Sequence, residues 1–271
     1  MTTKSSPGTL TRPAGVEIAY EVSGSRGPVI LLTHGFTVTL RMWDPTVAAL
    51  VQAGWRVVTW DVRGHGLTAT PEEPSLYSLD RVIDDLAALL DHLELDQVVM
   101  GGLSFGGYLS LAFWVAHRDR VQALVLADTG PGYRNADARE AWNQAAVERA
   151  ADIDARGVTA LESSGAAGSN AAVQGQVGFD RHRSLAGLSL AVRGFLTQHD
   201  GRVMEALPKI RVPTLILVGE QDEPFRKASD VMTAKIEGAE QVVIPDAGHV
   251  ANLDQPEAFN QALLGFLKRF R

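Results

Sequence analysis

The sequence contains no cysteine, and this absence excludes several kinds of chemistry. Among its 271 residues there is no thiol to act as a nucleophile, to form a disulfide or to bind zinc through sulfur. Long apolar runs are also absent, since none reaches the roughly 18 residues of a membrane span. The polar segment 1–8 lacks the apolar core of a signal peptide. We therefore expect a cytoplasmic protein whose nucleophile, if it has one, is not a thiol.

An excess of positive charge is missing as well. The formal net charge is -7 and the sequence pI is about 5.5, so the long-range field repels phosphate backbones and anionic lipid head groups. We predict neither a nucleic acid nor a membrane as partner. Hydrophobic residues make up 45% of the chain and charged residues 21%, which is typical of a globular protein with one substantial core. The sequence does not predict an oligomeric state.

Short apolar runs alternate with amphipathic helical patterns along most of the chain. This alternation is typical of crossover units that build a mostly parallel sheet. The patterns predict strands at 16–22, 29–33, 57–60, 97–100, 123–127, 214–218 and 241–244, and helices at 45–53, 79–93, 105–117, 229–236 and 256–270. The sequence therefore predicts an α/β fold with a mostly parallel central sheet flanked by helices.

The segment 131–208 interrupts this alternation. It contains helical patterns and no convincing strand before the sheet pattern resumes at Val212. We interpret it as a helical lid inserted into a core formed by 1–130 and 209–271. Its clearest helix, 136–156, is predicted to end at Gly157 because glycine tolerates the positive φ of a helix C-terminus. The stretch 163–178 is rich in Ala, Gly and Ser and is interpreted as a surface loop.

A candidate nucleophile follows the predicted strand 97–100. Gly102, Ser104 and Gly106 match the pattern G-x-S-x-G, and the predicted helix 105–117 begins inside it. A serine oxygen becomes an effective nucleophile when a sharp strand-to-helix turn presents it to a base, and the glycines allow that turn. The bare pattern also arises by chance, but its place between a strand and a helix does not. We predict Ser104 as the nucleophile.

The candidate base is one of seven histidines. His249 follows the last predicted strand and precedes the last helix, so its loop can lean over the carboxyl ends of the central strands, where open α/β sheets hold their ligands. Its place after the nucleophile in the chain also fits this fold. The other six histidines, including His34 and His65 in loops near the site, are interpreted as structural or surface residues.

The acid that orients this histidine is expected in a turn after a strand between Ser104 and His249. Asp222 follows the strand 214–218 and is the preferred candidate. Asp128, at the end of the preceding strand, is its competitor. Glu220 and Glu223 stay open as weaker alternatives.

An oxyanion hole is expected on two backbone N–H groups, because negative charge develops on a carbonyl oxygen during nucleophilic attack. One donor is predicted to be Phe105, next to the nucleophile. The other is predicted to be Phe36, in the loop after the strand 29–33, where Gly35 permits a tight turn. His34 is expected to hold this loop in shape by hydrogen bonding. We expect Phe36, Trp43 and Phe105 to help line a mainly apolar pocket.

Four motifs together resemble those of the α/β-hydrolase family: 34–36 its oxyanion loop, 61–66 the loop after its fourth strand, 102–106 its nucleophile elbow, and 248–249 its histidine loop. The resemblance covers nearly the whole chain. Haloalkane dehalogenases and epoxide hydrolases of this family have aspartate where this chain has Ser104. Among the members with a serine nucleophile, the chain most resembles 3-oxoadipate enol-lactonases and neighbouring small esterases.

This resemblance implies a serine hydrolase that cleaves a small carboxylic ester or lactone through an acyl-enzyme, with a catalytic triad of Ser104, Asp222 and His249. It implies no metal and no organic cofactor. Carbon–carbon bond hydrolysis and cofactor-free perhydrolysis by the same triad stay open, as does a ligand sensor with slow turnover. Arg63 and His65 are interpreted as structural residues, and Arg134 as a solvated one.

Overall fold

The computed structural model describes residues 5–163 and 179–270, together with positions 173 and 175. In this part of the chain eight strands form a single sheet, in the order β1-β2-β4-β3-β5-β6-β7-β8. The strands are β1 Ser5–Thr11, β2 Glu17–Ser23, β3 Val29–Thr33, β4 Arg56–Trp60, β5 Val98–Leu103, β6 Val121–Ala127, β7 Thr214–Gly219 and β8 Glu240–Ile244. Strands β3 to β8 are parallel to one another, whereas β2 pairs antiparallel with both β1 and β4.

Helices flank this sheet. Those described are α1 Asp44–Gln52, α2 Leu79–His92, α3 Phe105–Ala116, α4 Ala136–Arg156, α5 Val158–Glu162, α6 Leu185–Ala191, α7 Arg202–Ala206, α8 Glu223–Lys235, α9 Ala251–Asp254 and α10 Pro256–Leu267. The central strands β5 and β7 are buried at every position, which explains why their sequences are apolar without alternation. Within the described residues, no helix is long and apolar enough to cross a membrane.

The α/β fold predicted from the sequence is confirmed, with differences at particular elements. Strand β5 continues to Leu103, beyond the predicted end at position 100, and so leads directly into Ser104. Helix α8 begins at Glu223, earlier than the predicted start at 229. Pro224 favours a helix start at this place, but the first turn carries few apolar side chains and therefore gave no helical pattern. Strand β1 was not predicted. Its mostly exposed, polar residues lie at the sheet edge and give no apolar pattern.

The chain between β6 and β7 is helical where the structure describes it, and it contains no strand there. Helix α4 has the predicted bounds and ends at Gly157, whose φ is 61°. Helix α4 packs against α6 and against the π-helical turn Val192–Leu196 that follows α6. Most of the stretch 163–178 lies outside the described residues. The assignment of 131–208 as a lid stays a prediction.

Candidate active site

Ser104 occupies a sharp turn between β5 and α3. Its φ of 54° and ψ of -117° are strained for a residue with a side chain. The flanking glycines make this turn possible: a Cβ on Gly102 would lie 2.3 Å from the backbone of Gly106, and one on Gly106 would lie 2.2 Å from the carbonyl oxygen of Thr33. The turn therefore depends on backbone approaches that only glycine allows.

Ser104, His249 and Asp222 form one hydrogen-bonded chain. The Ser104 Oγ lies 3.0 Å from His249 Nε2, and His249 Nδ1 lies 2.7 Å from Asp222 Oδ2. Because an ionised carboxylate only accepts hydrogen bonds, this contact assigns the proton of a neutral imidazole to Nδ1. The Nε2 lone pair then faces the serine hydroxyl, which is the arrangement in which an imidazole can take its proton.

The imidazole of His249 is also held by an aromatic ring. The ring of Phe225, in the first turn of α8, stacks on it with centroids 4.7 Å apart and planes inclined by 28°. Asp222, the residue before α8, is only 7% exposed. The start of this helix thus contacts the imidazole both at its Nδ1 edge and on one face.

Asp128 lies close to this chain but does not join it. Its Oδ1 accepts the Gly219 N–H at 2.8 Å, and its Oδ2 accepts the Ala251 N–H at 3.3 Å. The side chain therefore connects the end of β7 to the start of α9. Burial raises the pKa of the Asp128 carboxyl well above its ordinary value. Among the described contacts, the one carboxylate that bonds to His249 belongs to Asp222.

The remaining acidic alternatives have other positions. Glu220 Oε2 accepts the N–H of Asp246 at 3.2 Å, and its side chain is exposed. Glu223 is exposed in the first turn of α8. In the described structure neither carboxylate has a hydrogen bond to His249.

His34 holds the loop that follows β3, as expected. The Val62 N–H donates to His34 Nε2 at 3.0 Å, so Nδ1 carries the proton and donates to the Gly35 carbonyl oxygen at 2.6 Å. Burial lowers the pKa of His34, which favours this neutral form. The loop is thus fixed from the neighbouring loop after β4.

The predicted oxyanion residues Phe36 and Phe105 lie next to each other. Their rings make an edge-to-face contact with centroids 5.9 Å apart. Phe105 is the first residue of α3, so its N–H has no acceptor within the helix. The Phe36 N–H has no acceptor within the described residues. Phe36 and Phe105 therefore each have a backbone N–H without a described acceptor, on two residues that are in contact.

Two more histidines bond to the loop after β3, and one of them, His182, connects it to the insertion. Thr37 N–H donates to His65 Nε2 at 3.3 Å, and Gly66 N–H donates to His182 Nδ1 at 2.9 Å. His182 then donates from Nε2 to the Thr37 carbonyl oxygen at 2.9 Å. Burial lowers the pKa of both histidines. Sequence reasoning missed this role of His182, because the contact joins residues that are 145 positions apart.

Arg63 has the structural role expected of it. Its guanidinium bonds to both carboxylate oxygens of Asp85, at 2.8 and 2.9 Å, and both side chains are buried. Arg12 adds a third contact to this carboxylate at 3.1 Å. The ion pair fixes the loop after β4 to helix α2. Neither side chain lines the cavity beside Ser104.

A cavity of about 400 Å³ opens beside Ser104. Its aromatic walls are Phe105, Tyr108, Tyr133, Trp142, Phe195 and Phe225. The expected apolar character is therefore present, but two of the expected residues do not line it. Trp43 is fully buried and packs on Phe259 with ring centroids 6.2 Å apart. The ring of Phe36 lies behind the wall, against Phe105 and Phe195.

The fold and the sharp turn at Ser104 indicate one family of proteins, and the sequence matches the same family. Residues 28–256 match the family described as alpha/beta hydrolase fold. The chain therefore belongs to the α/β-hydrolase family, and it is an enzyme of that family.

Three relatives show which enzymes the chain is similar to. The chain is 27% identical to 3-oxoadipate enol-lactonase 2 of Acinetobacter baylyi, over 90% of each chain. It is 28% identical to a bifunctional esterase/perhydrolase of Acinetobacter calcoaceticus, over 96% of this chain and 99% of that one. A solved esterase from Thermogutta terrifontis is 30% identical and superposes with a TM-score of 0.81, over 98% of this chain and 99% of that chain.

Proposed function

We propose that this enzyme is a serine hydrolase that cleaves a small carboxylic ester or lactone through an acyl-enzyme, with a triad of Ser104, His249 and Asp222. The observation that carries the proposal is the hydrogen-bonded chain from Ser104 Oγ through the imidazole to Asp222, at 3.0 and 2.7 Å. The names of the relatives, an enol-lactonase and an esterase among them, support the same class of substrate.

In the proposed mechanism, His249 Nε2 takes the Ser104 proton while Oγ attacks the substrate carbonyl carbon. The carbonyl oxygen becomes an oxyanion and accepts hydrogen bonds from the Phe36 and Phe105 N–H groups. The imidazolium, stabilised by Asp222, then protonates the leaving alcohol, and an ester of Ser104 is left. Water, deprotonated by the same imidazole, attacks this ester and releases the carboxylic acid. The proton returns to Ser104, so the two half-reactions need no cofactor.

The segment 131–208 is the proposed lid over this site. Its residues Tyr133, Trp142 and Phe195 form part of the cavity wall beside Ser104, so the insertion covers the bound substrate. Such a cover excludes bulk water and strengthens the electrostatic contacts in the site. The cavity size suits a compact substrate.

Perhydrolysis is the second candidate, favoured by the bifunctional esterase/perhydrolase among the relatives. It shares the acyl-enzyme, since hydrogen peroxide would replace water in the second half-reaction and release a peracid. A carbon–carbon hydrolase would be recognised by its diketone substrate. A ligand sensor would be recognised by its slow turnover of every substrate.

The test is a substrate panel with Ser104→Ala as the control. Purified enzyme should hydrolyse p-nitrophenyl esters of short acids or small lactones, and Ser104→Ala should lose at least about a thousandfold in kcat while it stays folded by circular dichroism. Activity restricted to diketones, or retained in the folded Ser104→Ala variant, would contradict the proposal. A peracid formed from acetate and hydrogen peroxide faster than esters are cleaved would favour the second candidate.

A further inference from the structure

The polar groups of the cavity beside Ser104 are few, and the chemistry of each decides what the cavity can hold. Lys227 is the one cationic residue among the described lining residues, and it is exposed. The hydroxyl of Thr129 is already bonded to the Ser104 carbonyl oxygen at 2.6 Å. Burial raises the pKa of Tyr108 to about 12, so its phenol is neutral. A carboxylate deep in this cavity would therefore lack a buried cation to pair with.

Gln198 is the amide among these groups, and half of it has no partner in the described part of the chain. The side chain lines the cavity and the residue is only 9% exposed. Its Oε1 accepts the Tyr133 N–H at 3.0 Å, and since a backbone N–H can only donate, this contact fixes which end of the amide is the oxygen. The Nε2 group has no acceptor within the described residues. The side chain thus has two N–H donors without a described partner and belongs to a residue that lines the cavity.

The position of Gln198 is rigidly set by helix α4. The Asn143 side chain bonds to the Gln198 backbone twice, with Oδ1 accepting at 2.7 Å and Nδ2 donating at 2.9 Å. The preceding Trp142 fixes Leu196 by donating from Nε1 to its carbonyl oxygen at 2.8 Å. A side chain anchored at its backbone and at one end of its amide loses little freedom when it binds a ligand, so its remaining hydrogen bond can discriminate between substrates.

We propose that Gln198 determines substrate specificity: its Nε2 donates to a neutral acceptor oxygen, such as a ketone, in the larger substituent of an uncharged ester, and the cavity rejects substituents that end in a carboxylate. This inference rests on the proposed ester hydrolysis at Ser104. A neutral chain with one acceptor oxygen suits both the apolar walls and the free amide, whereas a plain alkyl chain offers Nε2 no acceptor.

Three ethyl esters of equal acyl-chain length test this proposal in a pH-stat: ethyl levulinate, which carries a ketone, ethyl valerate, which does not, and monoethyl glutarate, which ends in a carboxylate. The ethyl group is small, so the acyl chain is the substituent that fills the cavity. We expect kcat/KM for the levulinate to exceed that for the valerate by roughly two- to tenfold, the effect of one neutral hydrogen bond. The glutarate should fall below the valerate by on the order of a hundredfold.

Variants test whether Gln198 causes the preference for levulinate. Gln198→Glu retains an acceptor for the Tyr133 N–H but has no donor, and Gln198→Leu has neither. Both should abolish the preference for levulinate over valerate. Tyr108→Phe, the control that removes a hydroxyl donor of the cavity and leaves Gln198 intact, should retain it. A preference that survives both Gln198 variants, one that is lost in Tyr108→Phe, or equal rates for glutarate and valerate in the wild type would overturn the proposal.

Binding to Ser104→Ala separates this inference from the proposed function. The intact esters should quench tryptophan fluorescence of that variant in the same order of affinity, levulinate, valerate and then glutarate, because Trp142 lines the cavity. If the wild type turns over none of the esters while Ser104→Ala binds them in this order, the function fails and the specificity holds. Binding in a different order overturns the specificity, whatever the activity.

Discussion

Asp128 and Asp222 follow neighbouring parallel strands, yet they bind different groups. Asp222 accepts from the His249 imidazole at 2.7 Å, while Asp128 accepts two backbone N–H groups, those of Gly219 and Ala251. Gly219 ends β7, three residues before Asp222, and Ala251 comes two residues after His249. Asp128 thus supports the two chain segments that carry Asp222 and His249.

The first prediction compares asparagine variants at these two positions. Asp222→Asn should lower kcat roughly ten-thousandfold, because an amide does not stabilise the imidazolium and can favour the wrong imidazole tautomer. Asp128→Asn should affect kcat far less. It should instead lower the free energy of unfolding by about 1–3 kcal/mol, because an amide has one acceptor oxygen for two N–H groups. Ester hydrolysis and urea denaturation measure the two effects. A larger loss of kcat in Asp128→Asn would make Asp128 the catalytic acid.

The second prediction concerns the glycines around Ser104. Gly106→Ala should be severely destabilising, because its Cβ would lie 2.2 Å from the Thr33 carbonyl oxygen and the backbone would have to move. Gly265→Ala is the matched control. It lies in helix α10 with no atom within 4 Å of the added Cβ, and it should stabilise by up to about 1 kcal/mol through helix propensity. Thermal unfolding measures both. Equal melting temperatures for the two variants would contradict the proposed close approach at Gly106.

The third prediction is a pH dependence through His182. Its Nδ1 accepts from Gly66 and its Nε2 donates to Thr37, an arrangement that only the neutral imidazole can make. Burial lowers the pKa of His182 and outweighs the hydrogen bond to Thr37 and the charges of Asp61 and Asp180, which raise it. A lowered folded pKa means that the stabilisation is present above the unfolded value of about 6.5 and is lost as the pH falls through the folded value.

His182→Phe retains a ring of similar size but neither hydrogen bond, so it isolates this contribution. The wild type should have the higher melting temperature at pH 8, and the difference between the two proteins should shrink as the pH is lowered toward 5. The difference between the two melting temperatures does not contain the titration of His34 and His65, because both proteins have these residues. A difference that stays constant with pH, or grows in acid, would show that His182 does not anchor the segment as a neutral residue.

The fourth prediction concerns substrate form. Helix α4 is charged and largely exposed, with a few small buried residues, and it does not present the broad apolar face with which a lipase meets a lipid surface. Dissolved esters of short acids should therefore be preferred over emulsified triglycerides. The measurement is a chain-length series of p-nitrophenyl esters, followed by trioleoylglycerol below and above droplet formation. A rate that rises with chain length and jumps when droplets appear would contradict this substrate class.

Sequence reasoning succeeded where a local signal exists. The bounds of α4 follow from its periodicity and from Gly157, and the place of Ser104 follows from glycines whose Cβ atoms would strike the backbone. It failed where the deciding contact is distant. Strand β1 is polar and pairs with β2, Trp43 packs on Phe259 in the core, and His182 bonds to a loop far away in the chain. None of these contacts leaves a pattern in its own segment.

The same distinction holds within the site. Asp128 and Asp222 both follow a strand between Ser104 and His249, so chain order does not decide between them. The contacts of the two side chains do, since Asp222 bonds to His249 and Asp128 to the Gly219 N–H. Gln198 shows no motif at all. Its interest comes from an amide whose one end is bound by Tyr133 and whose other end faces no partner in the described part of the chain.

The most direct test of the central claim, that Ser104 is the nucleophile, is covalent labelling with a fluorophosphonate followed by mass spectrometry of the intact protein and its peptides. We predict a single adduct on the peptide that contains Ser104, no adduct in Ser104→Ala, and much slower labelling in His249→Ala, because the imidazole activates the hydroxyl. An adduct on a different residue, or undiminished labelling of Ser104→Ala, would contradict the assignment and the mechanism built on it.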